Sequence, residues 1–243
     1  MELHGKTALV TGSARRVGRA LALALAENGA RVAVHYATSE SDAAETVSTI
    51  RSMGHDAESF RADLELPTEI DRLTSEIGKR FGHFDVLVNN ASIFGRQDIE
   101  STSVEDWDRY IAVNVRAPFL LAKALKHGLP EGSTGKVINL GDWRTARRNR
   151  FPYGVSKAAL SGLTRSLATA LAPDIQVNEI ALGAILPPAD SPQDPDRSDI
   201  KMDLGPADRM GTLNEVAAAM LALIANDFIT GETLHVDGGR HVR

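Results

Sequence analysis

The chain contains no cysteine among its 243 residues. Disulfides, thiolate metal sites and a cysteine nucleophile are thereby excluded. It has no excess of positive charge either: the net charge of -5 argues against a general nucleic-acid binder. No apolar run approaches the roughly 18 residues needed to span a bilayer. The opening stretch, "MELHGKTALV", lacks the long apolar run of a signal peptide, so the expected location is cytoplasmic, with no membrane partner. The histidines show no metal-ligand spacing, and no metal is expected. There is no internal repeat and no low-complexity tract. The length suits one α/β domain spanning 1–243 and is too short to suggest two.

Within that length, β-rich runs alternate with helical patterns. Strands are expected at Thr7–Val10, Arg31–Tyr36, Ala57–Ala62, Val86–Val88, Lys136–Asn139, Gln176–Ala181 and Thr233–Val236. Helices are expected near Val17–Asn28, Asp42–Ser52, Pro67–Phe81, Val104–His127, Tyr153–Ala172 and Leu213–Ala225. Strands that are apolar throughout, such as "TALV" and "VLV", imply a parallel sheet covered on both faces. Right-handed crossovers then give a single doubly wound, Rossmann-type α/β sandwich, with ligands beyond the carboxyl ends of its strands. One segment breaks the rhythm. Gly183–Gly211 is crowded with proline and aspartate and is too long for an ordinary connection. A disordered insertion is one reading; a mobile lid over a substrate site is favoured, because the segment follows a strand end.

The stretch "TGSARRVGRA" at Thr11–Ala20 sits where a phosphate-binding turn belongs. Gly12 permits the sharp turn and Gly18 a close approach, while the helix start offers free N–H groups to a pyrophosphate. Arg16 stands where a middle glycine is usual. Cations at a helix N-terminus are unfavourable unless an anion accompanies them. Arg15 and Arg16 are either solvated surface residues or, the preferred reading, part of a phosphate site. A dinucleotide with a free 2′-hydroxyl usually meets an acid at the end of the second strand, about 20 residues after the turn. Here "HYATS" supplies His35, Tyr36, Thr38 and Ser39 and no acid. That selects NADPH. Glu40 and Asp42 read as first-turn helix residues, with Ser39 or Ser41 as the cap.

Further motifs are "ADL" with Asp63, "NNAS" at Asn89–Ser92, Asn114-Val115 and "YGVSK" at Tyr153–Lys157. Tyr153 and Lys157 share a helix face, and an ammonium there is expected to lower the tyrosine pKa from near 10. In this order the motifs resemble a short-chain dehydrogenase/reductase over nearly the whole chain. The resemblance implies a seven-stranded parallel sheet flanked by helices, commonly assembled as a tetramer or dimer. It implies a catalytic set of Asn114, Tyr153 and Lys157, in which Tyr153 donates the proton, Lys157 holds the nicotinamide ribose and Asn114 anchors a water. It also implies a cofactor site that includes Gly12, Val17, Asp63 and Leu64 near adenine, Asn90, Ala91 and Ser92 along it, and Gly183 and Ile185 at the carboxamide.

The family's usual serine ahead of the tyrosine is missing, since no serine lies between Ser133 and Tyr153. Asp142 stands at the end of the fifth strand instead. Together with "TGSARRVG", "HYATS" and "NNASIF", this resembles the pteridine reductases. That subgroup implies that Arg16 touches both cofactor and substrate, that Phe94 stacks on the pterin, that Ser92 contacts cofactor and ligand, and that Asp142 supports Tyr153. Asp142 is only 11 residues before Tyr153, a loop two residues shorter than the subgroup's. Thr38 replaces the arginine many members carry, and Leu182-Gly183 replaces a frequent Pro-Gly.

Arg144, Arg147, Arg148 and Arg150 read first as a solvated face and second as a means of attracting an anionic substrate. Trp107 and Trp143 read as core or loop anchors. The basic tail is either frayed or brings Arg243, or else Arg240, towards a partner's site. The expected activity is NADPH-dependent reduction of a small pterin-like substrate. The alternatives are a 3-oxoacyl or other carbonyl reductase on the same fold and, from another class, a non-catalytic dinucleotide sensor.

Overall fold

The computed structural model describes residues 1–187 and 204–242. Arg243 and the middle of the expected lid lie outside the described residues. Seven strands form one parallel sheet: β1 (Thr7–Val10), β2 (Arg31–Tyr36), β3 (Ala57–Arg61), β4 (Val86–Asn89), β5 (Gly135–Asp142), β6 (Ile175–Leu182) and β7 (Thr233–Val236). The strand order is β3-β2-β1-β4-β5-β6-β7. The chain winds outward from β1, then returns to lay β4 on β1's other side. A crevice opens where the winding reverses, beyond the carboxyl ends of β1 and β4.

The strand sequences set the layers. Ala8 and Val10, Val32 and Val34, Val86 and Val88 face one core with α1 (Arg16–Glu27), α2 (Glu40–Ser52) and α7 (Leu213–Ala225). The residues between them, Leu9, Ala33 and Leu87, face a second core with α3 (Pro67–Phe81), α5 (Ala117–Gly128) and α6 (Phe151–Ala170). Side chains alternate across a strand, so double burial demands unbroken apolar runs. Helix starts follow local chemistry. Ser103 Oγ accepts the Asp106 N–H at the head of α4 (Val104–Ile111), and Thr212 with Glu215 forms a capping box on α7. Among the described residues, no helix is long and apolar enough to cross a membrane.

Two elements depart from expectation. The helix expected over Val104–His127 is divided by a π-helical turn at Ala112–Arg116, which holds Asn114. Such turns insert one residue into a helix and are frequent at functional sites. Ser39 occupies the position before α2 but makes no capping hydrogen bond with its side chain.

Candidate active site

A cavity of about 740 Å³ opens at the carboxyl ends of the strands. Every residue expected in the site lines it except Asn114: Gly12, Arg16, Val17, His35, Tyr36, Thr38, Ser39, Asp63, Leu64, Asn90, Ala91, Ser92, Phe94, Asp142, Tyr153, Lys157, Gly183 and Ile185.

The turn after β1 is built by contacts across the crevice. Thr11 Oγ1 accepts the N–H groups of Asn90 and Ala91, both at 3.0 Å, and Asn90 Nδ2 donates to the carbonyls of Thr11 and Gly12. Gly12 has φ +62, and a Cβ on Gly18 would stand 2.3 Å from the Gly12 oxygen, so neither position admits a side chain without rearrangement. Arg16 also has a left-handed backbone, φ +56, which explains why glycine is usual there. Its Nη2 donates to the Pro187 carbonyl at 2.5 Å, tying the turn to the segment that follows β6. Arg15 lies 3.9 Å from Asp42. Helix α1 begins with neither a side-chain cap nor an acid in its first turn. Its N-terminal N–H groups and dipole thus suit an anion.

His35 differs from expectation. It is buried, its Nδ1 accepts the Gly12 N–H at 3.0 Å, and its Nε2 meets the Ala62 oxygen at 3.1 Å. The ring props the turn and has no nitrogen left for a ligand. Burial pushes its pKa from 6.5 down to about 4, against the opposing pull of the Ala62 carbonyl and Asp63. The unfolded chain takes up this proton near pH 6.5, whereas the folded chain resists it until about 4. Stability is therefore full above pH 6.5 and is expected to fall by on the order of 3 kcal/mol as the pH drops to 4. Urea unfolding at pH 7 and 4.5, compared with His35→Gln, measures this. Equal pH dependence in the two proteins would remove His35 as the cause.

On the other side of the cavity, β5 runs on to Asp142, in register with Leu182. The Tyr153 hydroxyl donates to Asp142 Oδ2 at 2.8 Å. Arg147 Nη2 at 2.6 Å and the Arg144 N–H at 2.9 Å hold Oδ1. The shorter loop reaches this geometry by lying on the helix: a Cβ on Gly154 would stand 1.9 Å from the Thr145 oxygen. The glycine after Tyr153 makes room for it. The lowered tyrosine pKa expected from Lys157 is not found. Burial first, and then the Asp142 charge and hydrogen bond, push Tyr153 well above 10, with Arg147 and Arg150 opposing. Tyr153 is held as a protonated donor. Lys157 is buried, donates to the Leu140 oxygen at 2.7 Å and lies 5.9 Å from the Tyr153 ring centre.

Asn114 stands behind the cavity, buried, and its amide is fully engaged. Oδ1 accepts the Ile93 N–H, while Nδ2 donates to the Ile93 oxygen and to Ser156 Oγ. It clamps the loop after β4 to α6.

The arginine loop is not a uniform solvated face. Arg144 and Arg148 are exposed, but Arg147 binds Asp142 and Arg150 is only 8% exposed. The Arg150 guanidinium sits 3.5 Å over the Phe94 ring and donates to the Gly95 oxygen. Phe94 meets Tyr153 edge-to-face at 4.7 Å. At most one face of Phe94 is left for a ligand. Trp107 packs against Phe151, whereas Trp143 lines the cavity with the Arg240 guanidinium 4.3 Å from its ring. Arg240 thus approaches the cavity of its own chain. Thr11, Arg147, Arg150 and Ser156 are not singled out as site residues by the sequence; the Thr11-Gly12 pair, the basic loop and the "YGVSK" motif are the signals that contain them.

Residues 12–241 match the sequence profile of a family described as enoyl-(acyl carrier protein) reductase. The chain is 35% identical to an uncharacterized oxidoreductase of Thermotoga maritima, over 98% of each chain. It is 34% identical to a 3-oxoacyl-(acyl-carrier-protein) reductase of Vibrio cholerae, over 100% of each. Its fold matches the crystal structure of FolM alternative dihydrofolate reductase 1 from Brucella canis complexed with NADP. The TM-score there is 0.91 at 34% identity, covering 100% of this chain and 97% of that one. The profile, the relatives and the fold agree, and the chain belongs to the short-chain dehydrogenase/reductase family of NAD(P)-dependent oxidoreductases.

Proposed function

We propose that the protein is an NADPH-dependent reductase of a pterin or dihydropterin-like ring, with Tyr153 as the proton donor. The observation that carries this reading is the carboxylate of Asp142 at 2.8 Å from the Tyr153 hydroxyl. A ketone oxygen needs hydrogen-bond donors to polarise it. Asp142, already accepting from Tyr153, Arg147 and the Arg144 N–H, offers none. A pterin presents N–H donors, which a carboxylate can receive. The likeness to the Brucella canis FolM structure supports the same reading.

The turn residues Gly12, Arg16 and Val17, with Tyr36, Thr38 and Ser39 at the end of β2, would hold the phosphate-bearing half of NADPH; Asn90, Ala91, Gly183 and Ile185 would line the rest. When bound, the cofactor supplies a hydride. The chain's own part is to seat the ring against Phe94 and Ser92 and to deliver a proton to its nitrogen from Tyr153 Oη. That transfer leaves a phenolate beside a carboxylate. Arg147 and Arg150 offset the paired negative charge, and the Lys157 ammonium stands 5.9 Å from the tyrosine ring.

The second reading, a 3-oxoacyl reductase, has the Vibrio cholerae relative in its favour. Phe94→Ala separates the two. With a dihydropterin the KM is expected to rise on the order of 10-fold while NADPH affinity is kept, because the ring supplies stacking area on one side of a flat ligand. With a 3-oxoacyl thioester the change should be small. Steady-state NADPH oxidation on both substrates measures it, and a larger loss on the thioester would reverse the assignment.

A further inference from the structure

Phe94 stands on a loop, not on a helix or strand: the chain from 91 to 98, after β4, forms neither. A side chain on such a segment keeps one geometry only where the segment is pinned. Both chain neighbours of Phe94 are pinned here. The N–H and carbonyl of Ile93 are taken by Asn114. The N–H of Gly95 donates to the Tyr110 hydroxyl of α4 at 2.8 Å, and its carbonyl accepts from Arg150 Nη1 at 3.0 Å, at the head of α6. A Cβ on Gly95 would stand 2.5 Å from Tyr110 Oη, so this close approach requires glycine. Further on, the Phe151 N–H donates to the Gln97 oxygen at 2.8 Å.

These bonds fix the backbone and leave the ring to be set by what touches it. The Tyr153 ring meets it edge-to-face, at 80° between planes, and the Arg150 guanidinium carbon lies 3.5 Å from its centre. At that distance the guanidinium fork lies flat on the ring, since a fork standing on edge would drive a nitrogen into it. Among the described residues Phe94 lines the cavity and Arg150 does not, so the arginine covers the ring's inner face. We propose that Arg150 is a positioning residue for the substrate: lying flat on the inner face of Phe94, it braces the ring so that the outer face is presented to a planar ligand. One side chain holds both the ring and, through Gly95, the backbone that carries it. A buried cation over an aromatic face is attracted by the ring's own charge distribution, so the brace resists rotation of the ring as well as displacement of the loop. The inference rests on the reading that the substrate stacks on Phe94.

Arg150→Met keeps the length of the stem and loses the flat cation. In steady-state NADPH oxidation with a dihydropterin, its KM is expected to rise about 3- to 5-fold, and no more than in Phe94→Ala, because the arginine acts through the ring. In a Phe94→Ala background the same change should add nothing to the KM, which a merely structural role for Arg150 would not produce. Arg150→Lys keeps a cation in place but cannot lie flat on the ring. Its KM should rise likewise, which keeps the test decisive where Arg150→Met fails to fold. The ring itself is followed without substrate by NMR of protein carrying carbon-13 in its seven phenylalanine rings. The Phe94 signal, assigned by its loss in Phe94→Leu, is expected to move and broaden in both Arg150 variants. An unmoved signal overturns the inference, as does a KM raised equally with and without the Phe94 ring. So does an unchanged KM in the Arg150 variants where Phe94→Ala raises it. A moved signal beside a KM that Phe94→Ala leaves unchanged upholds the brace and instead removes Phe94 from substrate binding.

Discussion

Tyr153→Phe is expected to lower turnover on the order of 100-fold or more, the usual scale for losing a general acid, while leaving NADPH binding in place. The geometry says why the two effects separate. Phenylalanine keeps the ring and its edge-to-face contact with Phe94 at 4.7 Å. Only the hydroxyl goes, and with it the hydrogen bond to Asp142 Oδ2. The carboxylate does not collapse, because Arg147 and the Arg144 N–H hold its other oxygen. Lys157 keeps its bond to the Leu140 oxygen. Steady-state kinetics and a fluorescence titration of NADPH, run on the same preparation, give both numbers. Near-normal turnover would mean that the proton arrives from elsewhere, with Asp142 or solvent as its source.

Arg16 offers a second large effect, and one with opposite signs on binding and stability. Its left-handed backbone, φ +56, costs a non-glycine residue about 1 kcal/mol or more. Arg16→Gly should therefore leave the Tm unchanged or raise it. The same change deletes a guanidinium able to bind a phosphate through two parallel hydrogen bonds. NADPH is expected to bind on the order of 10- to 100-fold more weakly, and NADH hardly less well. Arg16→Ala should show the same cofactor effect without relief of the backbone. Isothermal titration with both nucleotides, alongside thermal melts, checks the pattern. Equal losses for the two cofactors, or none, would return Arg16 to the status of a surface residue bonded to Pro187.

The layers of the fold were legible because double burial leaves a simple trace. "TALV" and "VLVN" have no polar face to show, and the helices between them carry one apolar stripe each. The π-helical turn at Asn114 was not legible. One inserted residue shifts a helical pattern too little to notice, and the reason for it lies elsewhere, at Ile93 and Ser156. The pairing of Asp142 with Tyr153 was doubtful from spacing alone, since the loop is short. What restores it is Gly154, whose missing side chain lets the loop rest on the helix. Four arginines in one polar loop look alike in sequence. Which of them is buried depends on Phe94, carried in by the loop after β4. His35 looked like a cofactor contact because it stands at the right strand end, yet its ring is taken up by Gly12 and Ala62.

The seam between β1 and β4 also fixes an order of assembly. The Thr7 N–H is received by Asp85 across 78 residues, and Thr11 receives the Ala91 N–H across 80. A nascent chain that has emerged only as far as β3 already holds the whole glycine turn and the His35 ring that props it, but not Asn90 and Ala91, which seal it from the β4 side. Loop entropy grows only slowly with length, so the separation itself is a minor obstacle. Long-range parallel pairing is nevertheless the slow part of folding such topologies. The nucleotide crevice therefore cannot be completed before β4 and the residues after it have emerged, although its first half is among the first parts of the chain to leave the ribosome.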